Sequence, residues 1–353
     1  MLLSFALLAR EEIKLIKLLT KKYSKIAVLF TGGLGDTLLY TPLLKELKKK
    51  QFLITGVFYS KYPSDSLFDD SLVNRKIYCS SKISLLVFAF THLKAFINIY
   101  TNHLTKGKVI ALTAWLSSKK VTATLPVNAA YKISKRNKKV ISSFTDAEQN
   151  MHLLYSVQNA TIKNISDFYL PHPVLNKTPI SKFVGQGNYF ILQISAGNNT
   201  TPYKNWPVNY WLKLTEMLCN AFPESQFVIA GDNTEIEYAA EFQKLPYRNC
   251  KIIIGKTTVQ EIFNLTAFSN GYIGLDSGLM HLAVALQKKS LTIFGGTNEK
   301  LYGYQFLDPA NHKVIAAAIS CRPCSAWKNA NTSRVNNPLL CPDFACLSAI
   351  TPD

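Results

Sequence analysis

Apolar residues fall along this chain in two kinds of block: short continuous runs rich in Ile, Val and Phe, and longer stretches where apolar positions recur every three or four residues. The first kind reads as strands buried on both faces, the second as amphipathic helices. The clearest unit begins with the run 25–30, continues through a turn at 31–36 holding Gly32, Gly33 and Gly35, and ends in Leu38, Leu39, Leu43, Leu44 and Leu47 at helical spacing. Further strands are expected at 52–59, 109–112 and 140–144, then at 189–195, 226–230, 251–254, 271–275 and 290–294. Strands alternating with helices predict doubly wound α/β domains. Residues 171–179 carry three prolines and no periodicity, which marks a linker. The expected division is therefore 1–175 and 176–353, and a chain of 353 residues exceeds one ordinary core.

Ahead of the first strand, residues 1–24 interleave Leu15, Ile16 and Leu19 with Lys14, Lys17, Lys21 and Lys22. A cationic amphipathic helix of this kind either lies in an anionic membrane interface or packs on its own domain. No charge-free run approaches the roughly 20 residues of a membrane span. The apolar stretch 2–9 has no basic residues before it and runs into Arg10, Glu11 and Glu12, unlike a cleaved signal. These features predict a cytoplasmic protein.

Charge sharpens the contrast between the halves. The chain carries a formal net charge of +18, with 25 Lys+Arg against 10 Asp+Glu in residues 1–170 and 15 against 12 in residues 171–353. Such asymmetry points to an anionic partner for the first half, or to a merely soluble lysine-rich surface. Nucleic acid is not the expected partner, because the basic residues are dispersed through core-forming segments and no nucleic-acid module accompanies them.

Three blocks carry candidate chemistry. In the first, Gly33 and Gly35 let the backbone approach another group closely while Asp36 sits at a helix start. The glycine spacing is not that of a dinucleotide fingerprint, since the third glycine position holds Leu38. The second block runs from Ser195 to Pro207. Its small and hydroxylic residues, among them Ser195, Gly197, Thr200 and Thr201, suit phosphate oxygens, and Lys204 adds a cation ahead of Trp206-Pro207. The third places Asp276, Ser277 and Gly278 at a strand tip, where the amides opening the next helix form an anion site. His281 follows in the first turn, off the apolar stripe of Leu279, Leu282, Ala283 and Leu286.

In this order and spacing, GGLGDTLLYTPLL, KNWP and LDSGLMHLAVAL…IFGGT resemble the bacterial lipopolysaccharide heptosyltransferases of glycosyltransferase family 9. The resemblance implies a GT-B fold, two Rossmann-like domains facing across a cleft, with acceptor on the first and nucleotide sugar on the second. It implies Asp36 as catalytic base, Lys204 on the donor phosphates, and Asp276, Ser277, Gly278 and His281 lining the diphosphate site. Glu235, preferred over Glu237, would hold the ribose. One departure is Gly295-Gly296-Thr297, where the family often has Gly-Pro-Thr.

The expected reaction is inverting transfer of a sugar, heptose from ADP-heptose, to an anionic lipid-linked glycan such as a lipopolysaccharide core, at the cytoplasmic face of the inner membrane. No cofactor is expected, and the absence of an Asp-x-Asp pair argues for metal-free chemistry. A sugar-nucleotide epimerase or a non-catalytic binding homologue are the alternatives. Cys321, Cys324, Cys341 and Cys346 are formally enough for zinc, but the second spacing is loose and a structural role, reduced or disulfide-linked, is preferred.

Overall fold

The computed structural model describes residues 25–59, 67–101, 108–123, 164–171, 173, 180–196, 201–324 and 338–353. The expected N-terminal amphipathic helix, the strand at 140–144 and most of the 171–179 linker lie outside them.

The first sheet grows around β1 (Lys25–Phe30), whose last five residues are all buried. Ile26, Val28 and Phe30 pack into one core layer, while Ala27 and Leu29 pack into another, as the alternation of side chains along a strand requires. Next in the chain come α1 (Leu34–Leu38), α2 (Thr41–Lys49), β2 (Leu53–Phe58), β3 (Arg75–Tyr78), α3 (Lys82–Thr91), β4 (Asn98–Thr101), α4 (Lys108–Ser117) and β5 (Val121–Ala123). Every pairing is parallel, in the order β3-β2-β1-β4-β5.

One expected strand is corrected. Residues 109–112 belong to α4, and the strand of that unit is β4. The physical reason is the burial of Ile110, Thr113, Ala114 and Ser117, spaced at i, i+3, i+4 and i+7. A four-residue apolar run cannot reveal that period.

The second sheet comprises β6 (Tyr189–Gln193), β7 (Gln226–Ala230), β8 (Cys250–Ile252), β9 (Gly271–Leu275), β10 (Lys289–Phe294) and β11 (His312–Ala316). It is also parallel, ordered β11-β10-β9-β6-β7-β8. Between its strands run α5 (Val208–Ala221), α6 (Ile236–Gln243), α7 (Val259–Phe268), α8 (Gly278–Ala285) and the short α9 (Glu299–Tyr302); α10 (Ala345–Ser348) follows β11. The five strands expected here are present, with small shifts at their ends. The added strand β11 was not expected, although Val314, Ile315 and Ala316 are apolar; it is only partly buried, with His312 its one fully buried residue.

Strand order reverses between β1 and β4 in one sheet and between β6 and β9 in the other. Crevices for ligands open beyond the carboxyl ends of strands at such points, and the Gly32–Asp36 turn, the Ser195 loop and the Asp276–Gly278 turn leave β1, β6 and β9 there. One apolar cluster joins the halves: Val28 and Phe30 of β1 share it with Ile191 of β6, Tyr272 of β9 and the body of α8. The C-terminal segment is part of the second core, where Cys346, Leu347 and Ile350 pack with Trp206 and Trp211. Trp206 Nε1 donates to Ile350 O at 2.8 Å.

Candidate active site

Both halves build the same device at the end of a strand. After β1, Gly32 is followed four residues on by Asp36, whose Oδ2 accepts from Gly33 N at 2.9 Å. After β7, Gly231 is followed four residues on by Glu235, whose Oε2 accepts from Asp232 N at 3.0 Å. Each carboxylate folds back over its glycine. A Cβ on Gly32 would stand 2.2 Å from Asp36 Oδ2, and one on Gly231 2.2 Å from Glu235 Oε2. The glycines are therefore needed for close approach. Asp36 is thus a turn-closing residue as well as a candidate base, and Glu235 is 2 % exposed while Glu237 is exposed.

Asp36, Glu235, Lys204 and Asp276 all line one cleft between the two sheets, enclosing about 1490 Å³ with open solvent included. Gly33, Leu34, Gly35 and Leu39 form its first-half wall; Gln193, Ala196, Asp232, Ser277, Gly278, His281 and Tyr302 lie on the other side. The floor is a backbone contact between α1 and α8, where a Cβ on Gly278 would come within 3.0 Å of Gly35 N.

Lys204 Nζ lies 2.9 Å from Asp276 Oδ2 and donates to Asp276 O at 3.2 Å. Burial disfavours the ammonium, but Asp276 outweighs it and holds Lys204 above its ordinary value. Burial also opposes the Asp276 carboxylate, yet Lys204 and then His281 keep it below the usual range. Both groups are therefore charged at neutral pH. The pair fixes a cation at the cleft wall with its stem held beside the Asp276 strand tip.

Ser277 caps α8 without a side-chain bond to the helix, because its hydroxyl donates to Gln193 Oε1. Tyr272 donates to the same oxygen at 2.8 Å and accepts from Leu275 N at 3.1 Å. The first amides of α8 have no intrahelical acceptors, and Ser277, Gly278 and Leu279 border the cleft. An anion is the natural partner of that helix start.

His281 stands off the stripe of Leu279, Leu282, Ala283 and Leu286 and is buried all the same. It is 5 % exposed, because α8 is buried on all sides, by α1 on one flank and by Tyr304 on another. Its Nδ1 is 2.6 Å from Tyr304 Oη. Burial pushes its pKa down to about 4, although Asp276 acts in the opposite direction. The imidazole is therefore neutral at pH 7.

The remaining expected residues are distributed unevenly. Ser195 is buried, and Thr201 Oγ1 donates to Ala196 O at 3.3 Å. Gly197 and Thr200 lie outside the described residues. Gly296, standing where the family often has proline, uses the amide that proline lacks: its N–H donates to Tyr203 O at 3.0 Å. Arg322, which the sequence reading passed over, donates from Nε to Gly295 O at 2.7 Å and from Nη2 to Thr297 O and Glu299 Oε2 at 3.2 and 3.0 Å. It pins the loop following β10. No spacing signal marks Gln193, Tyr304 or Arg322; Gln193 is set apart only by its strand end and Arg322 only by the cysteine beside it. Cys321, Cys324, Cys341 and Cys346 border one small cavity with Gly296 and Arg322. All four are free thiols. Among the described residues no three His, Cys, Asp or Glu side chains stand close enough to hold a metal ion.

Comparison with known proteins bears on family and fold. The family model described as glycosyltransferase family 9 (heptosyltransferase) matches residues 116–334. Lipooligosaccharide heptosyltransferase 2 of Campylobacter jejuni is 26 % identical over 309 residues, spanning 85 % of this chain and 89 % of that protein. The enzyme of the same name from Haemophilus influenzae is 29 % identical over 150 residues, 40 % of this chain and 41 % of its own. Among solved structures, the E. coli ADP-heptose lipopolysaccharide heptosyltransferase II superposes with a TM-score of 0.63 at 18 % identity, covering 83 % of this chain and 90 % of that one. A family 9 glycosyl transferase from Veillonella parvula gives 0.62 at 16 % identity, with 83 % and 85 % covered. The shared fold is GT-B, as the strand pattern and motif order led one to expect.

Proposed function

Since the chain belongs to glycosyltransferase family 9 (heptosyltransferase), we propose that it transfers heptose from ADP-heptose to the lipid-linked core glycan of a lipopolysaccharide or lipooligosaccharide, by one inverting displacement without a metal ion. The observation that carries this reading is the placement of Asp36 and the Lys204–Asp276 pair on facing walls of a single cleft. The names of the curated relatives, lipooligosaccharide heptosyltransferase 2, support the acceptor class.

In the reaction, an acceptor hydroxyl oxygen bonds to the anomeric carbon as the bond from that carbon to the diphosphate oxygen breaks. The hydroxyl proton passes to Asp36, and the diphosphate departs with the electron pair. Lys204 and the amides at the start of α8 meet the charge that develops on the leaving group. Asp276 holds Lys204 in place, and Ser277, Gly278 and a neutral His281 complete that wall. Glu235, buried in the cleft lining, receives the ribose hydroxyls. Ser195, Gly197, Thr200 and Thr201 are assigned to donor binding, their hydroxyl and backbone groups meeting phosphate oxygens. The acceptor half comprises 1–175 and the donor half 176–353. The lipid-linked acceptor places the enzyme at the cytoplasmic face of the inner membrane.

The test is Asp36→Asn, assayed by release of ADP from ADP-heptose in the presence of deacylated acceptor. Loss of a general base lowers turnover by roughly 10²–10⁴, with donor binding retained. Near-normal turnover by a folded variant removes Asp36 as base.

A further inference from the structure

The outer surface of the first half is apolar where a helical layer ordinarily turns polar. Helix α3 buries Leu85, Phe88 and Ala89 against the sheet, and its opposite stripe carries Ile83, Val87 and Phe90 at i, i+4 and i+7. A helix apolar on every side belongs in a core, yet Ile83 is 74 % exposed and Phe90 61 %. Leu93 continues the stripe, also exposed. Helix α4 packs beside α3 and does the same: Leu112 and Trp115 point outward, Trp115 at 61 %. Lys94 ties the two together, its Nζ lying 4.5 Å from the centre of the Trp115 ring and donating to Trp115 O and Ser118 O.

Charge along this part of the chain has one sign. Residues 71–123 contain no Asp or Glu and eight Lys+Arg. Within the helical layer, Lys82 and Lys108 open α3 and α4, and Lys94, Lys119 and Lys120 follow their ends, all five exposed. Apolar side chains with an aromatic among them, framed by cations and free of carboxylates, complement an anionic lipid surface: the apolar groups enter the headgroup boundary and the lysines meet phosphates. A protein partner would have to be both apolar and acidic, and repulsion between lysine frames opposes pairing with a second copy. The helices also start beside the carboxyl ends of β3 and β4, the edge of the sheet where the cleft opens.

We propose that the α3–α4 face is the membrane-docking surface of this protein, with Phe90 and Trp115 seated among the headgroups of an anionic bilayer and the lysines at both helix ends as its electrostatic contacts. This goes beyond the transferase reading and does not depend on which sugar is moved.

The test is flotation of the full chain with phosphatidylcholine vesicles with and without phosphatidylglycerol. Binding is expected only with the anionic lipid, and Phe90→Ser/Trp115→Ser should lower the bound fraction about tenfold. Lys119→Glu/Lys120→Glu supplies a second variant on the same surface. Both alter exposed residues, so melting temperature and ADP release with deacylated acceptor should stay at the parental level. Brominated lipid should quench the fluorescence of the parent and spare Trp115→Phe. Anionic-vesicle binding unaffected by either variant, or equal binding to neutral vesicles, overturns the proposal. So does sedimentation showing that the apolar variant merely converts a dimer to a monomer without changing vesicle binding. Because the readout involves no sugar transfer, its failure is distinguishable from failure of the transferase reading.

Discussion

Gly35 and Gly278 meet backbone to backbone across the two halves of the molecule: a Cβ built on Gly35 would lie 3.2 Å from Gly278 Cα and 2.6 Å from His281 Cδ2. The contact joins the turn that carries Asp36 to the helix start beside Ser277. Separation of the candidate base from the leaving-group site is thus set by two missing side chains.

This contact makes a paired prediction. Gly35→Ala overpacks the interface and should cost on the order of 2 kcal/mol, with kcat falling because Asp36 is the next residue. Gly33→Ala is the control, since a Cβ there meets nothing within 4 Å. Its cost should stay under about 1 kcal/mol, the loss of a tolerated helix-cap glycine. Urea unfolding of both variants checks the difference, and equal losses would show that the Gly35–Gly278 contact does not matter.

Legibility in the sequence follows the range of the forces involved. β1, β7 and β9 were readable because each is a short apolar run with a glycine within three residues of its end, and the Gly32–Asp36 turn is local; the matching Gly231–Glu235 turn was not read, since Glu235 was expected only from the family resemblance. The helix at 108–117 was misread, since four apolar residues fit either period until tertiary burial chooses. The burial of His281 was not legible for a related reason: the stripe on α8 accounts for one flank, and the Tyr304 that covers another lies 23 residues away. The Arg322 contacts to Gly295, Thr297 and Glu299 likewise depend on the chain returning over the β10 loop, which no short window records.

Lys204 and Asp276 should behave as one unit. Asp276 is almost wholly buried, so Lys204→Met leaves a carboxylate without its cation, a loss of about 3–5 kcal/mol. Asp276→Asn strands the ammonium and should also destabilise. The double variant removes both charges and should lose less than the sum of the singles by about 1 kcal/mol or more. A double-mutant cycle by denaturant unfolding measures this, and strict additivity would deny the coupling. Transferase activity should fall in all three.

His281 gives the protein a dependence on pH with a definite sign. Its folded-state pKa lies near 4 against an ordinary value of 6.5, so the unfolded chain takes up the proton first as pH falls. Stability is complete above pH 6.5 and is lost progressively down to pH 4. By pH 5 the loss from this group should reach roughly 2 kcal/mol. His281→Gln retains a partner for Tyr304 and removes the titration. The gap between parent and variant should therefore narrow, or reverse, from pH 7.5 to pH 5; a constant gap would mean that His281 does not titrate in this window.

Arg322 is the remaining residue whose role is open to direct test. Its guanidinium satisfies two backbone carbonyls and one carboxylate in the loop 295–299, next to the Thr297 that flanks Asp276. Charge-assisted bonds of this kind contribute about 1.5–3 kcal/mol each when their partners are buried, less for the half-exposed Glu299. Arg322→Ala should cost about 3 kcal/mol in all. Arg322→Lys keeps the charge but lacks the planar fork that reaches Gly295 and Thr297 together, so it should recover less than half of that loss. The expected signature is a lowered melting temperature with a raised KM for the nucleotide sugar, since the loosened loop supports the Asp276 wall. If Lys restores full stability, charge alone holds the loop and the fork geometry is incidental.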